Sequence, residues 1–240
     1  MSPAKRVLLV VLDGPAGAGK STIARRVADS LGAAILDTGA IYRSLALVAR
    51  KRGIRWLDES ALAALASDFP LEFRPARETG GAQQVVFDGQ DITDEIRLPE
   101  ISDGASKVSS LGAVRASLLG VQRSISATAL AAGAGCVAEG RDMGSVVFPE
   151  ADVKIFLTAE LSARARRRHA ELRARGADIP LDEVQTEMRA RDARDSTRES
   201  APLVQAPGAL RIDSSTLDIE GVLKLVMAQI ERAQIEGATR

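Results

Sequence analysis

Apolar positions along this chain alternate between unbroken runs and recurrences every three or four residues. "VLLVVLDG" (7–14) is a continuous apolar run, the pattern of a parallel strand covered on both faces. From Lys20 to Leu31 the apolar residues recur at helical spacing, and "AAILD" (33–37) reads as a second strand. Ile41, Leu45, Val48 and Ala49 then repeat with a helical period until Gly53 supplies a stop. The chain therefore opens as strand, loop, helix, strand, helix.

Between about Asp58 and Gly104 the pattern changes. A short helix over Ser60–Ala66 precedes "LEFRP" and "QQVVFDG", which flank a "TGGA" loop and predict a small antiparallel insertion. Helices over Pro99–Val108 and Leu111–Ala131 follow. Two more buried strands, "GCVAEG" (135–140) and "VKIFLTA" (153–159), lead into a very basic helical region and a further helix through residue 195. A last strand, "ALRIDSS" (209–215), and an amphipathic helix from Asp218 close the chain. This alternation predicts an α/β fold, a doubly wound parallel sheet carrying a small inserted α+β subdomain.

Composition narrows the partners. Apolar residues make up 45% of the 240 residues and aromatics only 3%, so the core is expected from Ala, Val, Leu and Ile. The 32 basic and 32 acidic residues cancel, which leaves no global field to draw nucleic acid or an anionic membrane, and any anion site must be local. A single cysteine, Cys136, excludes an internal disulfide, and with the lone His169 it provides no zinc-ligand cluster. The run Val7–Leu12 is too short for a signal-peptide core, and no other stretch approaches the roughly 20 apolar residues of a membrane span. The expectation is a soluble, unanchored, cytoplasmic protein.

Gly14-Pro15-Ala16-Gly17-Ala18-Gly19-Lys20-Ser21 matches G-x-x-x-x-G-K-[ST] at every fixed position and lies after a strand and before a helix. Its glycines let backbone N–H groups converge on phosphate oxygens at a helix N-terminus, Lys20 reaches the β/γ phosphates, and Ser21 offers a hydroxyl to Mg²⁺. The stretch through Thr22 is thus assigned to a nucleoside triphosphate. It leaves open a kinase, a GTPase-like switch and an ATPase that drives a partner. No Asn/Thr-Lys-x-Asp element reads guanine late in the chain, and "VKIFLTA" ends without an acidic residue, which argues against a switch.

Transfer to a small acceptor needs a second anion site facing the first. "DTGAIYR" places Thr38 and Arg43 just beyond the carboxyl end of the second strand, and "EGRDMG" places Arg141 and Asp142 beyond that of another. "RARDARDSTR" adds Arg191, Asp195 and Arg198 on one helical face. Arg/Asp runs are ordinarily solvated faces with weak ion pairs, but after a phosphate loop and "EGRD" the anion-binding reading is preferred.

In this order and spacing, "GPAGAGKST", "LDTGAIYR", "EGRDMGSVVFP", "VKIFLTA" and "RDARDSTR…APL" resemble the bacterial cytidylate kinases of the nucleoside monophosphate kinase group, from about Val7 to Ile230. The resemblance implies a P-loop kinase core of residues 1–57 and 104–240, an NMP-binding subdomain at 58–103 and a basic lid at about 160–178. It implies that Thr38, Arg115 and Asp142 bind the cytosine ring, that Ser106, Arg191 and Asp195 bind the ribose, and that Arg43, Arg141 and Arg198 grip the acceptor phosphate. Two departures touch none of these: Glu139 stands where some members have Asp, and Asp103-Gly104 where Asn-Ala is common.

The implied reaction is transfer of the γ-phosphoryl group of MgATP, held by Gly14, Pro15, Ala16, Gly17, Ala18, Gly19, Lys20, Ser21 and Thr22, to CMP or dCMP. Lys20, Arg141 and Arg198 carry the catalysis, and no general base is required because the acceptor is already an oxyanion. The stretch "RARRRHAELRARG" (164–176) is open to reading as an RNA-binding helix; without interleaved aromatic residues it reads instead as the lid, its arginines short of sequence-local acidic partners. The expected partners are ATP and CMP or dCMP alone, with no nucleic acid and no membrane, for a monomer. A kinase for another small anion, such as a different nucleotide or shikimate, and a nucleotide-dependent RNA-binding factor are the alternatives. Cys136 and Trp56 are expected in packing roles and His169 at the surface.

Overall fold

The structure, a computed structural model, describes residues 6–74, 83–174 and 176–238. Strand β1 (Leu9–Asp13), helix α1 (Lys20–Leu31), strand β2 (Ala34–Asp37) and helix α2 (Thr38–Lys51) open the chain. Helix α3 (Glu59–Ser67) and strands β3 (Leu71–Arg74), β4 (Gln84–Phe87) and β5 (Gln90–Asp91) follow, then helices α4 (Pro99–Val108) and α5 (Gly112–Ala131). Strands β6 (Cys136–Gly140) and β7 (Val153–Thr158), helices α6 (Leu161–Ala174) and α7 (Leu181–Thr197), strand β8 (Leu210–Asp213) and helix α8 (Ile219–Ala238) complete it. No helix among the described residues is long and apolar enough to cross a membrane.

The chain divides into two compact units, one of Met1–Leu36 with Gln122–Arg240 and one of Asp37–Val121. The first carries a five-stranded sheet in the order β2-β6-β1-β7-β8. Strand β1 runs parallel to β6 and to β7, and β7 runs parallel to β8. Because β1 is bordered on both edges and covered on both faces, Val10, Val11 and Leu12 are wholly buried, which is why the run shows no polar alternation. Val10, Leu12, Ile155 and Leu157 join Ile23 and Val27 of α1 and Val226 and Ile230 of α8 in one apolar cluster.

The register aligns Asp13 with Gly140 and with Phe156, so β1, β6 and β7 release their following loops at one edge. The stretch Gly14–Lys20 and the pair Arg141–Asp142 both leave from that edge, as expected for an open parallel sheet.

The unit Asp37–Val121 contains the 58–103 stretch together with α2, α4 and the start of α5. Helix α2 begins at Thr38, ahead of the first periodic residue, because the Asp37 carboxylate accepts the Ala40 N–H at 2.8 Å as an N-cap. The expected antiparallel pair forms as β3 and β4, with Leu71 opposite Phe87; the "TGGA" loop lies outside the described residues. Strand β5, absent from the pattern reading, pairs with β4 across a tight Asp88-Gly89 turn. Both turn residues have positive φ, 48° and 75°, the backbone of a type I′ hairpin.

Candidate active site

The phosphate loop begins with a steric requirement. Gly14 has φ 148°, and a Cβ there would lie 1.9 Å from the carbonyl oxygen of Leu157 on the neighbouring strand, so only glycine passes. Gly19 is the N-cap of α1 and, having no side chain to accept from the first amides, leaves them open to an anion. Lys20 follows, buried, and donates to the Pro15 carbonyl at 2.8 Å, so its ammonium lies across the loop. Burial, then the nearby Arg141 guanidinium, push the Lys20 ammonium down to about 7, against the opposing pull of Glu139 and Asp13.

Two carboxylates at the strand ends organise this edge. Ser21 Oγ donates to Glu139 Oε2 at 2.8 Å, which joins the first turn of α1 to the end of β6. A hydroxyl and a carboxylate oxygen side by side next to a phosphate loop form a hard donor set of the kind that suits Mg²⁺. Asp13, the last residue of β1, turns the other way and accepts the N–H groups of Met143 (2.8 Å) and Gly144 (2.7 Å). Burial lifts the Asp13 carboxyl to about 6 in spite of those two donors.

Beyond β6, Arg141 Nε donates to Asp195 Oδ2 at 2.9 Å, and Arg198 Nη2 lies 3.9 Å from Asp142 Oδ1, with the last pair almost fully buried. Burial raises the Asp195 carboxyl, but the charges of Arg141, Arg191 and Arg198 outweigh it and hold the group below its usual range. The structure thus brings together Arg141, Asp142, Arg191, Asp195 and Arg198, a cluster in which guanidinium groups outnumber carboxylates. One expectation is corrected: Arg198 is not on the helical face, because α7 ends at Thr197 and Arg198 is extended, with ψ 142°. A turn orients it instead. Arg198 Nε donates to the Ala201 carbonyl at 2.7 Å, and Ala201 has the left-handed φ of 52° that non-glycine residues rarely adopt.

In the unit Asp37–Val121, Asp37 holds Arg43 as well as capping α2; Arg43 Nη2 donates to Asp37 Oδ2 at 3.1 Å. The buried Nε of Arg43 has no partner among the described residues. Thr38 and Ser106 are buried at the start of α2 and on α4. Arg115 donates to the Ser109 carbonyl at 3.1 Å and sets its guanidinium 5.5 Å from the centre of the Tyr42 ring.

The basic stretch has partners that local sequence did not disclose. Arg164 is buried and donates to the carbonyls of Ala159 (2.8 Å) and Ala16 (3.1 Å), while its third nitrogen pairs with Asp192 at 2.7 Å. Arg167 donates to Ser214, whose hydroxyl donates to the Ala18 carbonyl at 3.2 Å. Arg164 braces the phosphate loop directly from α6, and Arg167 does so through Ser214. Trp56 and Cys136 have the packing roles expected, the first donating to the Ala46 carbonyl and the second buried in β6.

Glu139, Asp13 and Arg164 were missed as functional residues. Their signal was available only in part: Asp13 and Glu139 each end a strand just before a glycine, but nothing local showed that β6 borders β1. The strand "VKIFLTA" carries no acid, and "CVAEG" supplies the one beside the phosphate loop.

The family model for cytidylate kinase matches residues 10–232 of this chain. The cytidylate kinase of Stutzerimonas stutzeri is 43% identical over 233 residues, which cover 97% of this chain and 99% of that protein. That of Pseudomonas syringae pv. tomato is 44% identical over 229 residues, 95% of this chain and 97% of that one. Azotobacter vinelandii has a cytidylate kinase 43% identical over 232 residues, again 97% and 99%. Matches of this length include both stretches that leave the sheet at the phosphate-loop edge and the unit between them, so the chain belongs to the cytidylate kinase family.

Proposed function

We propose that this kinase passes the γ-phosphoryl group of MgATP in line to the phosphate of CMP or dCMP, giving CDP or dCDP. The observation that supports it most is the cluster of half-buried Arg141, Arg191 and Arg198 around the buried Asp142 and Asp195 at the sheet edge that carries the phosphate loop. Guanidinium groups partly neutralised by carboxylates hold their positions and still offer nitrogens to an anion.

Residues Gly14 to Thr22 bind the triphosphate through loop amides, and Lys20 swings from the Pro15 carbonyl to a phosphate oxygen. Ser21 and Glu139 would hold Mg²⁺, directly or through its waters, and the ion would supply neutralisation of the phosphate charge. Lys20, Arg141 and Arg198 stabilise the charge of the transferring group, with no proton to remove from the acceptor. Arg43, Arg141 and Arg198 take the acceptor phosphate; Ser106, Arg191 and Asp195 take the ribose. Thr38, Arg115 and Asp142 read cytosine, the carboxylate accepting from the exocyclic amine and the arginine donating to O2 and N3. Residues 58–103 serve as the NMP-binding subdomain and 160–178 as a lid over ATP. The enzyme acts as a cytoplasmic monomer on small molecules.

ADP formation measured with CMP, dCMP, UMP, AMP, GMP and shikimate tests the reading. Turnover with CMP and dCMP well above the rest is expected. Faster turnover with AMP or shikimate overturns it.

A further inference from the structure

Arg141 and Asp142 are followed at once by a five-residue π-helical turn, Met143–Val147, whose amides return to Asp142: Val146 N–H and Val147 N–H both bond the Asp142 carbonyl, at 2.9 and 3.1 Å. Single π turns are uncommon and need support, because their hydrogen bonds are strained relative to an α-helix. This one is held at both ends. At its amide end the Asp13 carboxylate accepts from Met143 (2.8 Å) and Gly144 (2.7 Å). At its carbonyl end Arg123 on α5 donates through Nε to Val147 O at 3.0 Å and through Nη2 to Val146 O at 3.3 Å.

The charges suit the ends. Two open amides face an acid and two open carbonyls face a guanidinium, as at the termini of any helix. Asp13 is also the residue before Gly14, so the carboxylate that fixes the turn is one peptide from the phosphate loop. The donor loop and the Arg141–Asp142 pair are thereby coupled through a single side chain and a single turn.

We infer that Asp13 and Arg123 are positioning residues for the reaction: clamping the 143–147 turn from both ends, they hold Arg141 and Asp142 in register with the phosphate loop. Neither touches substrate. The inference rests on the acceptor assignment above, since Arg141 and Asp142 face the acceptor there.

Arg123→Met is the first variant, because Arg123 is exposed and its loss leaves the core intact. Arg123→Lys keeps the charge but not the two-nitrogen fork, and Asp13→Asn keeps the shape but offers one acceptor to two N–H groups. Steady-state kinetics and amide exchange at Met143, Gly144, Val146 and Val147 are measured on the same samples. Arg123→Met is expected to exchange faster at these amides and to lose about tenfold or more in kcat/KM for CMP, with the KM for ATP and the melting temperature little changed. Arg123→Lys should fall between, and Asp13→Asn should show the same amide signature. Unchanged exchange, or faster exchange with unaltered CMP kinetics, overturns the positioning role, as does an equal loss for both substrates with a lowered melting temperature. Wild-type protein that fails to phosphorylate CMP overturns the acceptor assignment instead, and the exchange rates alone then decide the clamp.

Discussion

Ser21 on the first turn of α1 and Glu139 at the end of β6 stand 118 positions apart in sequence, and the serine hydroxyl donates to the glutamate at 2.8 Å. The bond orients the oxygen that a P-loop kinase offers to Mg²⁺ and sets an anionic oxygen beside it. Glu139→Gln retains the hydrogen bond and removes the charge. The variant is expected to need more Mg²⁺ for half-maximal activity and to lose about 10- to 100-fold in turnover at low Mg²⁺, with partial recovery at high Mg²⁺. Activity measured against Mg²⁺ at fixed ATP checks it; a wild-type Mg²⁺ profile would assign Glu139 to packing.

Base choice is expected to rest on Asp142. In the proposed site its carboxylate would accept from the cytosine amine but would face lone pairs in uracil, and an unmatched charged hydrogen bond costs about 1.5–3 kcal/mol, or roughly 10- to 150-fold. UMP is therefore expected to be a poor substrate. Asp142→Asn, able to present an amide or a carbonyl, should narrow the CMP/UMP ratio of kcat/KM chiefly by lowering the value for CMP. An unchanged ratio would leave Asp142 as a support for Arg198.

The Asp13 carboxyl makes a signed prediction about pH. Burial raises it from 3.8 to about 6, so in that interval the folded chain keeps a proton that the unfolded chain releases. Stability is then lost as pH rises from about 4 to about 6, by up to about 3 kcal/mol for two units at roughly 1.4 kcal/mol each. Asp13→Asn cannot titrate. Urea unfolding at pH 4, 5, 6 and 7 should show the difference between variant and wild type moving in the variant's favour with rising pH, whereas parallel profiles would refute the shift.

Gly104 on α4 lies under Trp56. An added Cβ would come within 2.5 Å of the indole ring, and the ring is tethered by its N–H to the Ala46 carbonyl at 2.9 Å. Gly104→Ala should therefore destabilise the protein by about 1–3 kcal/mol, although alanine is the better helix former. Adding Trp56→Leu should remove most of that penalty. A double-mutant cycle from urea unfolding, followed by circular dichroism, measures the coupling, and additive effects would place the strain elsewhere.

The sequence by itself determined whatever depends on neighbours along the chain. Strands and helices followed from the period of apolar positions, since a residue's burial is set by which face of its own element it occupies. The phosphate loop followed from fixed spacing, because one turn of backbone makes the cradle. The hairpin at Asp88-Gly89 is equally local, but its second strand, of two residues, is too short to show an alternation.

Tertiary structure decided the pairings between remote residues. That Glu139 of β6 faces Ser21 depends on strand order; that Arg164 is held by Ala16 and Asp192 depends on how α6 and α7 pack against the phosphate loop. Arg198 was placed on a helical face by spacing, but the helix stops at Thr197 and the Ala201 carbonyl aims the side chain from beyond it. A charged side chain is long and satisfied by many partners, so its sequence position constrains where it begins, while the packed fold selects which carboxylate or carbonyl compensates its burial.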